Sequence, residues 1–371
     1  MKIIVTYASA GAGHFKAAEA LYAYLKEHHR EIDVTLIDIL EKTNVLFRAI
    51  YTHGYLFMIK YALFVWRLGF WISYVKSLRL VSRPIASVIN RLNTKNFAKF
   101  LIQENPDWII STHFLPSEIS VYLKKTRKIN SRVVSVITDF GIHPFWISEG
   151  TDMYIAALDS TKEWLIREGI KEEKIKVFGI PVDSKFLKEY DKGILCKKIG
   201  IEQNKFTILI ATGSFGIGPI EEIVDLLYKE VQVLVVCANN KILYKKLKNK
   251  NYPNTKIFGF IDNIQELMAV SQIIITKPGG LSISESLVMD LLPIFIMAIP
   301  GQETQNLKAL AHCGIGIYPR NVIQIRDIAI YFREHPDKLK NIKEDIGKIK
   351  KPNALREICN VVCQSSGGSS G

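Results

Sequence analysis

The sequence predicts an α/β protein built from two doubly wound, Rossmann-like domains facing a cleft. Three observations carry the prediction. Short apolar β runs alternate with helical patterns, the alternation comes as two successive series, and 371 residues exceed what one typical core fills. Most of the β runs are nearly continuous in apolar residues, as in parallel strands covered by helices on both faces.

The first series opens with Ile3–Tyr7, followed by a helical pattern with Phe15, Ala18, Tyr22 and Leu25 on one face. Val34–Ile37, Trp108–Ser111 and Val133–Ile137 continue it. The second series runs through Thr207–Thr212, Val231–Cys237, Lys256–Phe258, Ile273–Thr276 and Ile294–Met297. The join falls in the polar stretch between Pro181 and Lys205. The expected organisation is a domain over 1–185, a second over 186–340, a C-terminal helix over 341–364, and a Ser/Gly tail, 365–371, outside the fold. Folds of this kind bind ligands at the carboxyl ends of the strands.

One stretch breaks the alternation. From Lys42 to Gln103 there is no Asp or Glu, while ten Lys/Arg occur among many aromatics. Its longest uncharged run, Ala49–Ile59, is 11 residues, against the roughly 20 a membrane-crossing helix needs. The segment 43–100 is therefore expected to lie on an anionic lipid surface rather than cross it. The other readings are a helical insertion packed on the domain and a polyanion-binding face; aromatic crowding favours lipid over nucleic acid.

Net charge is +13 and is shared evenly between the halves, which by itself selects no partner. The five cysteines (Cys196, Cys237, Cys313, Cys359, Cys363) are scattered without a CxxC pair, the pattern of reduced thiols rather than of disulfides or a zinc site. Met1 runs directly into a strand pattern, leaving no room for a signal peptide, so a cytoplasmic location is expected.

Chemistry concentrates at predicted strand ends. After Thr276, Lys277-Pro278-Gly279-Gly280 turns into a helix, an arrangement in which backbone N–H groups and a helix start can hold phosphate, with Lys277 as a nearby charge. Ser282-Ile283-Ser284-Glu285 has two local readings: a capping box closed by Glu285, or a carboxylate for ribose hydroxyls. Pro300-Gly301-Gln302-Glu303 places two polar side chains on another such loop. Gly213–Gly218 has P-loop spacing but Pro219 where the lysine belongs, and Gly11-Ala12-Gly13-His14 lacks the third glycine of a dinucleotide fingerprint. No Asp-x-Asp occurs, so a metal-bridged diphosphate of that type is not expected.

Four blocks, "SAGAGHFKAAEAL", "VITDFGIHPFWISEGTDMYIA", "KVFGIPVDSKF" and "TKPGGLSISESL…IPGQETQN", occur in order over most of residues 1–310. On these the chain resembles the processive diacylglycerol glycosyltransferases and monogalactosyldiacylglycerol synthases, relatives of the peptidoglycan enzyme that adds N-acetylglucosamine to lipid I. The resemblance implies the glycosyltransferase B fold and inverting transfer of glucose or galactose from a UDP-sugar to diacylglycerol. It also implies a peripheral position on the inner face of the cell membrane, a last helix packed back on the first domain, and no cofactor or metal. It implies uracil at the backbone near Phe260, ribose at Glu285, and diphosphate at Gly280, Leu281 and Ser282 with Gly279 and Lys277 beside them. Gly213 and Ser214 would also face the phosphates, and Gln302, Glu303 and Asn306 the sugar hydroxyls.

His14, at the tip of the first strand-to-helix loop, is then expected to be the base that takes the acceptor proton, its ordinary pKa lying near working pH. A histidine that only orients the helix start is the other reading. Asp139 competes for the same role or assists His14 as a carboxylate partner; His143 and Trp146 are expected to floor the acceptor site, and His113 to be structural. Gly11 and Gly13 are expected to keep the loop narrow. The rival functions are a UDP-N-acetylhexosamine epimerase, transfer of N-acetylglucosamine to a polyprenyl-linked precursor, and a non-catalytic UDP-sugar sensor.

Overall fold

The computed structural model of the protein describes residues 1–9, 11–54, 58 and 61–364. The Ser/Gly tail at 365–371 and five positions of the aromatic-basic segment lie outside the described residues. The chain divides into two compact units: one comprises Met1–Asp183, Ile299–Asn306 and the residues from Lys351 onward, the other Ser184–Ala298 and Leu307–Lys350.

The first unit is built on six parallel strands: β1 (Lys2–Tyr7), β2 (Asp33–Asp38), β3 (Trp108–Ser111), β4 (Arg132–Val136), β5 (Met153–Ile155) and β6 (Ile175–Lys176), in the order β2-β1-β3-β4-β5-β6. The central strands are buried on both faces, which is why their sequences run continuously apolar. On one face Ile3, Val5, Ile110 and Val134 pack with Ala18, Leu21 and Leu25 of helix Ala12–His28 and with Leu355, Ile358 and Val362 of helix Ala354–Gln364. The last helix thus belongs to the first unit. Each fully buried leucine or isoleucine there contributes about 1.5–3 kcal/mol of burial free energy. On the other face Ile4 and Ile109 meet Phe97, Leu101, Leu115 and Ile119.

The aromatic-basic segment is helical over most of its length, with helices Leu63–Tyr74, Lys76–Asn93 and Lys95–Glu104. On Lys76–Asn93 the side chains of Leu78, Val81, Ile85, Val88 and Leu92, spaced three and four apart, form an exposed stripe. Not all of its cations face outward. Arg79 pairs with Glu168 at 2.7 Å, Arg83 donates to the carbonyl of Ile147, and Arg91 lies 4.5 Å over the Tyr122 ring. Arg48, Arg67, Lys76, Lys95 and Lys99 are exposed.

The second unit holds five parallel strands, β7 (Thr207–Ala211), β8 (Gln232–Val236), β9 (Thr255–Phe258), β10 (Ile273–Thr276) and β11 (Leu292–Phe295), ordered β11-β10-β7-β8-β9. The last strand begins two residues before the expected Ile294 and includes Pro293. A proline is tolerated there because β11 is an edge strand of the named sheet. Helices Val322–Glu334 and Pro336–Ile349 belong to this unit, so residues 341–350, expected in the C-terminal helix that packs on the first domain, group with the second unit and only the helix Ala354–Gln364 groups with the first.

Residues 299–306, expected with the second domain, group with the first unit. The cause is local: Asn306 is fully buried and its Oδ1 accepts from the backbone N–H groups of Phe140 (2.8 Å) and Gly141 (2.9 Å). Gly141 is what permits the approach, since a Cβ there would lie 2.4 Å from the Gln305 backbone.

Candidate active site

In the first unit the ends of β1, β3 and the segment after β4 bring His14, Thr112, His113, Thr138 and Asp139 together. His14 is the third residue of helix Ala12–His28, half-buried. Its Nδ1 lies 2.9 Å from the Thr112 carbonyl oxygen and 2.7 Å from Thr138 Oγ1. A carbonyl can only accept, so Nδ1 carries the proton and Nε2 keeps its lone pair. Thr112 Oγ1 in turn donates to the His14 carbonyl at 2.8 Å, tying the helix start to the end of β3.

Burial lowers the His14 pKa, against the opposing pull of the Asp139 charge and the Thr112 hydrogen bond. The imidazole is therefore held neutral, the state a proton acceptor needs. His113 stands edge-on to His14 with ring centroids 4.7 Å apart. Its Nδ1 accepts from Leu115 N at 3.1 Å, capping helix Phe114–Lys125, and burial together with His14 pushes its pKa well below the usual histidine value. That is the structural role expected of it.

Asp139 is buried, and burial raises its pKa; the His14 charge and hydrogen bonds from Gln302, Asn306 and Trp146 oppose the rise. Gln302 Nε2 donates to Asp139 Oδ2, and Asn306 Nδ2 to Oδ1 at 3.3 Å. The nitrogen of His14 that a carboxylate partner would orient is occupied by Thr112, so Asp139 acts on His14 through charge. His143 and Trp146 are both buried rather than exposed as a floor. His143 Nδ1 accepts from Phe145 N at 3.2 Å and its Nε2 lies 2.9 Å from Ser73 Oγ, with burial lowering its pKa to about 4. At Gly11 an added Cβ would meet nothing within 4 Å, so no neighbouring protein atom explains that glycine as a narrowing device.

The short helix-opening run Ile299–Asn306 carries the residues expected at the sugar. Gln302 and Asn306 serve Asp139 as just described, and Glu303 Oε2 accepts from Ile299 N at 2.7 Å. These bonds hold the run in shape.

In the second unit, parallel strands place Gly213 and Ser214 (after β7), Phe260 (after β9) and Lys277–Gly280 (after β10) along one edge of the sheet. Helix Gly280–Val288 starts at N-cap Gly279, with no side chain capping it. Ser282 thus sits at the third helical position and Glu285 a turn further on; the capping-box reading of Glu285 is excluded. The first-turn N–H groups are left without intrahelical partners by the geometry of any helix, and such an end is able to hold an anion. A Cβ on Gly213 would sit 3.8 Å from Lys277 Cε, so these two loops adjoin. Phe260, expected near the uracil base, is 70% exposed.

Sequence reasoning missed several contributors here. The loop after β8 braces the glycine-rich one: Asn239 N donates to the Ser214 carbonyl at 3.2 Å, and Asn240 Nδ2 to that of Gly216 at 3.0 Å. Thr112 and Thr138 were also missed, although Thr138 directly precedes Asp139 at a predicted strand end. Among the described residues no group of three or more His, Cys, Asp or Glu could hold a metal ion, and no helix is long and apolar enough to cross a membrane.

Comparison with known proteins adds sequence to geometry. The family profile for monogalactosyldiacylglycerol (MGDG) synthase matches residues 14–182, and that for the glycosyltransferase family 28 C-terminal domain matches 207–324. A processive diacylglycerol beta-glucosyltransferase of Bacillus cytotoxicus is 28% identical, covering 98% of this chain and 94% of that protein. One from Bacillus pumilus is 27% identical over 98% and 95%. Among solved structures, Acinetobacter baumannii MurG superposes with a TM-score of 0.62 at 13% identity, covering 98% of this chain and 99% of that one. Anabaena HepE in complex with UDP-glucose gives 0.56 at 14% over 99% of each. The fold is that of the B-type glycosyltransferases. The UDP-GlcNAc 2-epimerase of Neisseria meningitidis also superposes, at 0.61 with 13% identity over 98% of this chain and 100% of that one, so fold alone does not separate transferase from epimerase. The sequence relatives and both family profiles favour the transferase.

Proposed function

We propose, for a chain that belongs to the glycosyltransferase family of the monogalactosyldiacylglycerol synthases, the transfer of glucose from UDP-glucose to diacylglycerol with inversion at the anomeric carbon. The observation that carries this reading is similarity to diacylglycerol glucosyltransferases over nearly the whole length of both proteins. The choice of glucose over galactose rests on the same relatives.

In the proposed reaction the neutral His14 takes the proton of the acceptor hydroxyl on Nε2 as that oxygen bonds to C1 of the sugar. The bond from C1 to the β-phosphate oxygen breaks on the opposite face, and its electron pair leaves with UDP. The Thr112 carbonyl steadies the imidazolium that forms, through Nδ1–H. Asp139 stabilises the same positive charge electrostatically. The start of helix Gly280–Val288, with Gly279, Leu281 and Ser282 around it, receives the diphosphate. Lys277, Gly213 and Ser214 stand beside it, Glu285 takes the ribose hydroxyls, and the backbone near Phe260 takes uracil. Gln302 and Glu303 contact sugar hydroxyls, and Asn306 holds Asp139 in place. Developing charge on the leaving diphosphate is met by helix and lysine, without a metal.

The acceptor is reached from a lipid surface on the cytoplasmic side. Helix Leu63–Tyr74 exposes Phe64, Val65, Leu68 and Trp71, and Lys76–Asn93 exposes its apolar stripe. The exposed Arg48, Arg67, Lys76, Lys95 and Lys99 accompany them. Such a face suits the interface of an anionic bilayer, each near-surface cation contributing about 1 kcal/mol.

The test is transfer from radiolabelled UDP-glucose or UDP-galactose to diacylglycerol in vesicles containing anionic lipid. Labelled glucolipid supports the proposal. Epimerised nucleotide, or UDP released without glycolipid, overturns it.

A further inference from the structure

Helix Leu63–Tyr74 has two working faces. Outward lie Phe64, Val65, Leu68 and Trp71, all exposed. Inward, Trp66 Nε1 donates to the Pro300 carbonyl at 2.8 Å, and Ser73 Oγ meets His143 Nε2 at 2.9 Å. Between them the Phe70 ring closes on Gly301: a Cβ on that glycine would stand 2.8 Å from the ring, and its φ of +109° is one that side chains rarely adopt. The run Ile299–Asn306 is thus tied within itself by Glu303 accepting from Ile299 N and contacted from helix Leu63–Tyr74 by the Trp66 N–H and the Phe70 ring. Gln302 follows Gly301 directly, so the placement of Pro300–Gly301 acts together with the Asp139 and Ile299 hydrogen bonds in setting the Gln302 amide and the Glu303 carboxylate.

From this geometry we propose that Trp66 and Phe70 are positioning residues for the donor sugar, setting Gln302 and Glu303 through the Pro300–Gly301 turn. The inference rests on the reading of Gln302 and Glu303 as sugar contacts. It adds that the helix presenting an apolar face to lipid also shapes the donor-sugar loop, so neither residue needs to touch substrate to affect it. A positioning role of this kind discriminates between ligands: it affects a nucleotide that carries the sugar and spares UDP, which lacks it.

The experiment compares the parent enzyme with Trp66→Phe, which keeps an aromatic ring and removes the N–H donor, and with Phe70→Leu, which removes the ring facing Gly301. The KM for UDP-glucose, the inhibition constant of UDP and cosedimentation with anionic vesicles are measured for each, with Gln302→Ala alongside. The expected result is a rise of about fivefold in the UDP-glucose KM of Trp66→Phe, the worth of one hydrogen bond, with UDP inhibition and vesicle binding unchanged. Phe70→Leu moves the same constant in the same direction and carries the test should Trp66→Phe fail to fold. A UDP-glucose KM equal to that of the parent in both variants, or a UDP inhibition constant rising in step with it, overturns the proposal. If Gln302→Ala raises the KM and neither aromatic variant does, the positioning role fails and the sugar-contact reading stands. If Gln302→Ala leaves the KM unchanged, both fail.

Discussion

Replacing Thr138 by valine removes a hydroxyl 2.7 Å from His14 Nδ1 while keeping the branched shape of a residue that is only 4% exposed. The His14 Nδ1–H still has the Thr112 carbonyl at 2.9 Å, so no buried donor is stranded and the larger penalty for an unpaired group does not arise. What is lost is one hydrogen bond holding the ring, a net effect of about 1 kcal/mol. If that bond serves to keep Nε2 aimed at the acceptor hydroxyl, the loss falls on the rate, at about tenfold per 1.4 kcal/mol, giving roughly a fivefold lower kcat. The KM for UDP-glucose should not move, because Thr138 belongs to the first unit's cluster and not to the proposed nucleotide loops. The assay is initial-rate transfer of labelled glucose to diacylglycerol vesicles, with Thr138→Ser as the rescue, since serine restores the hydroxyl. A Thr138→Val enzyme at the parent rate, or a Thr138→Ser enzyme no better than the valine variant, refutes the orienting role.

Three further outcomes follow from the same cluster and from the donor loop. A protonated His14 cannot accept a proton, so activity falls as pH drops through its pKa, which burial places below the ordinary histidine value; Asp139 works against that depression, so Asp139→Asn should move the acid limb of kcat/KM to still lower pH, read from a full pH–rate profile. Gly141→Ala should lower the melting temperature and the rate together, because its Cβ would lie 2.4 Å from the Gln305 backbone and would separate the Phe140 and Gly141 amides from Asn306; calorimetry beside the transfer assay checks it. Treatment with EDTA should leave the transfer rate within twofold of the untreated enzyme, and a rate restored only by added Mg²⁺ or Mn²⁺ would refute the metal-free account of the leaving group.

Much of this architecture is written in patterns of side chains. Continuous apolar runs such as Ile273–Thr276 are legible because a strand covered on both faces has no polar positions to interrupt it. Lys277–Gly280 was legible as a strand-to-helix turn because glycines mark it. Strands β5 and β6, three and two residues long, are too short to show a period, although they complete the sheet. The Thr112 carbonyl that sets the His14 tautomer leaves no trace in a sequence, since every residue carries the same group. The resemblance implied a sugar contact at Asn306, and its hydrogen bonds to Asp139, Phe140 and Gly141 were not legible because all three partners lie in a stretch of chain more than 160 residues away. Charge counting over 42–103 treated every arginine alike, whereas Arg79, Arg83 and Arg91 have partners contributed by distant stretches of chain. Ser282-x-x-Glu285 matched a capping box in spacing, but the helix begins at Gly280, three residues earlier than that box requires.

In the proposed reaction His14 is the group that deprotonates the acceptor, and His14→Ala tests this most directly. Measured on diacylglycerol vesicles with saturating UDP-glucose, the variant should lose at least about a hundredfold in kcat, the lower end of what a positioned general base contributes, while UDP inhibition and the melting temperature stay near the parent values. A His14→Ala enzyme that retains its kcat within a few-fold would contradict the account and transfer the role of base to another group.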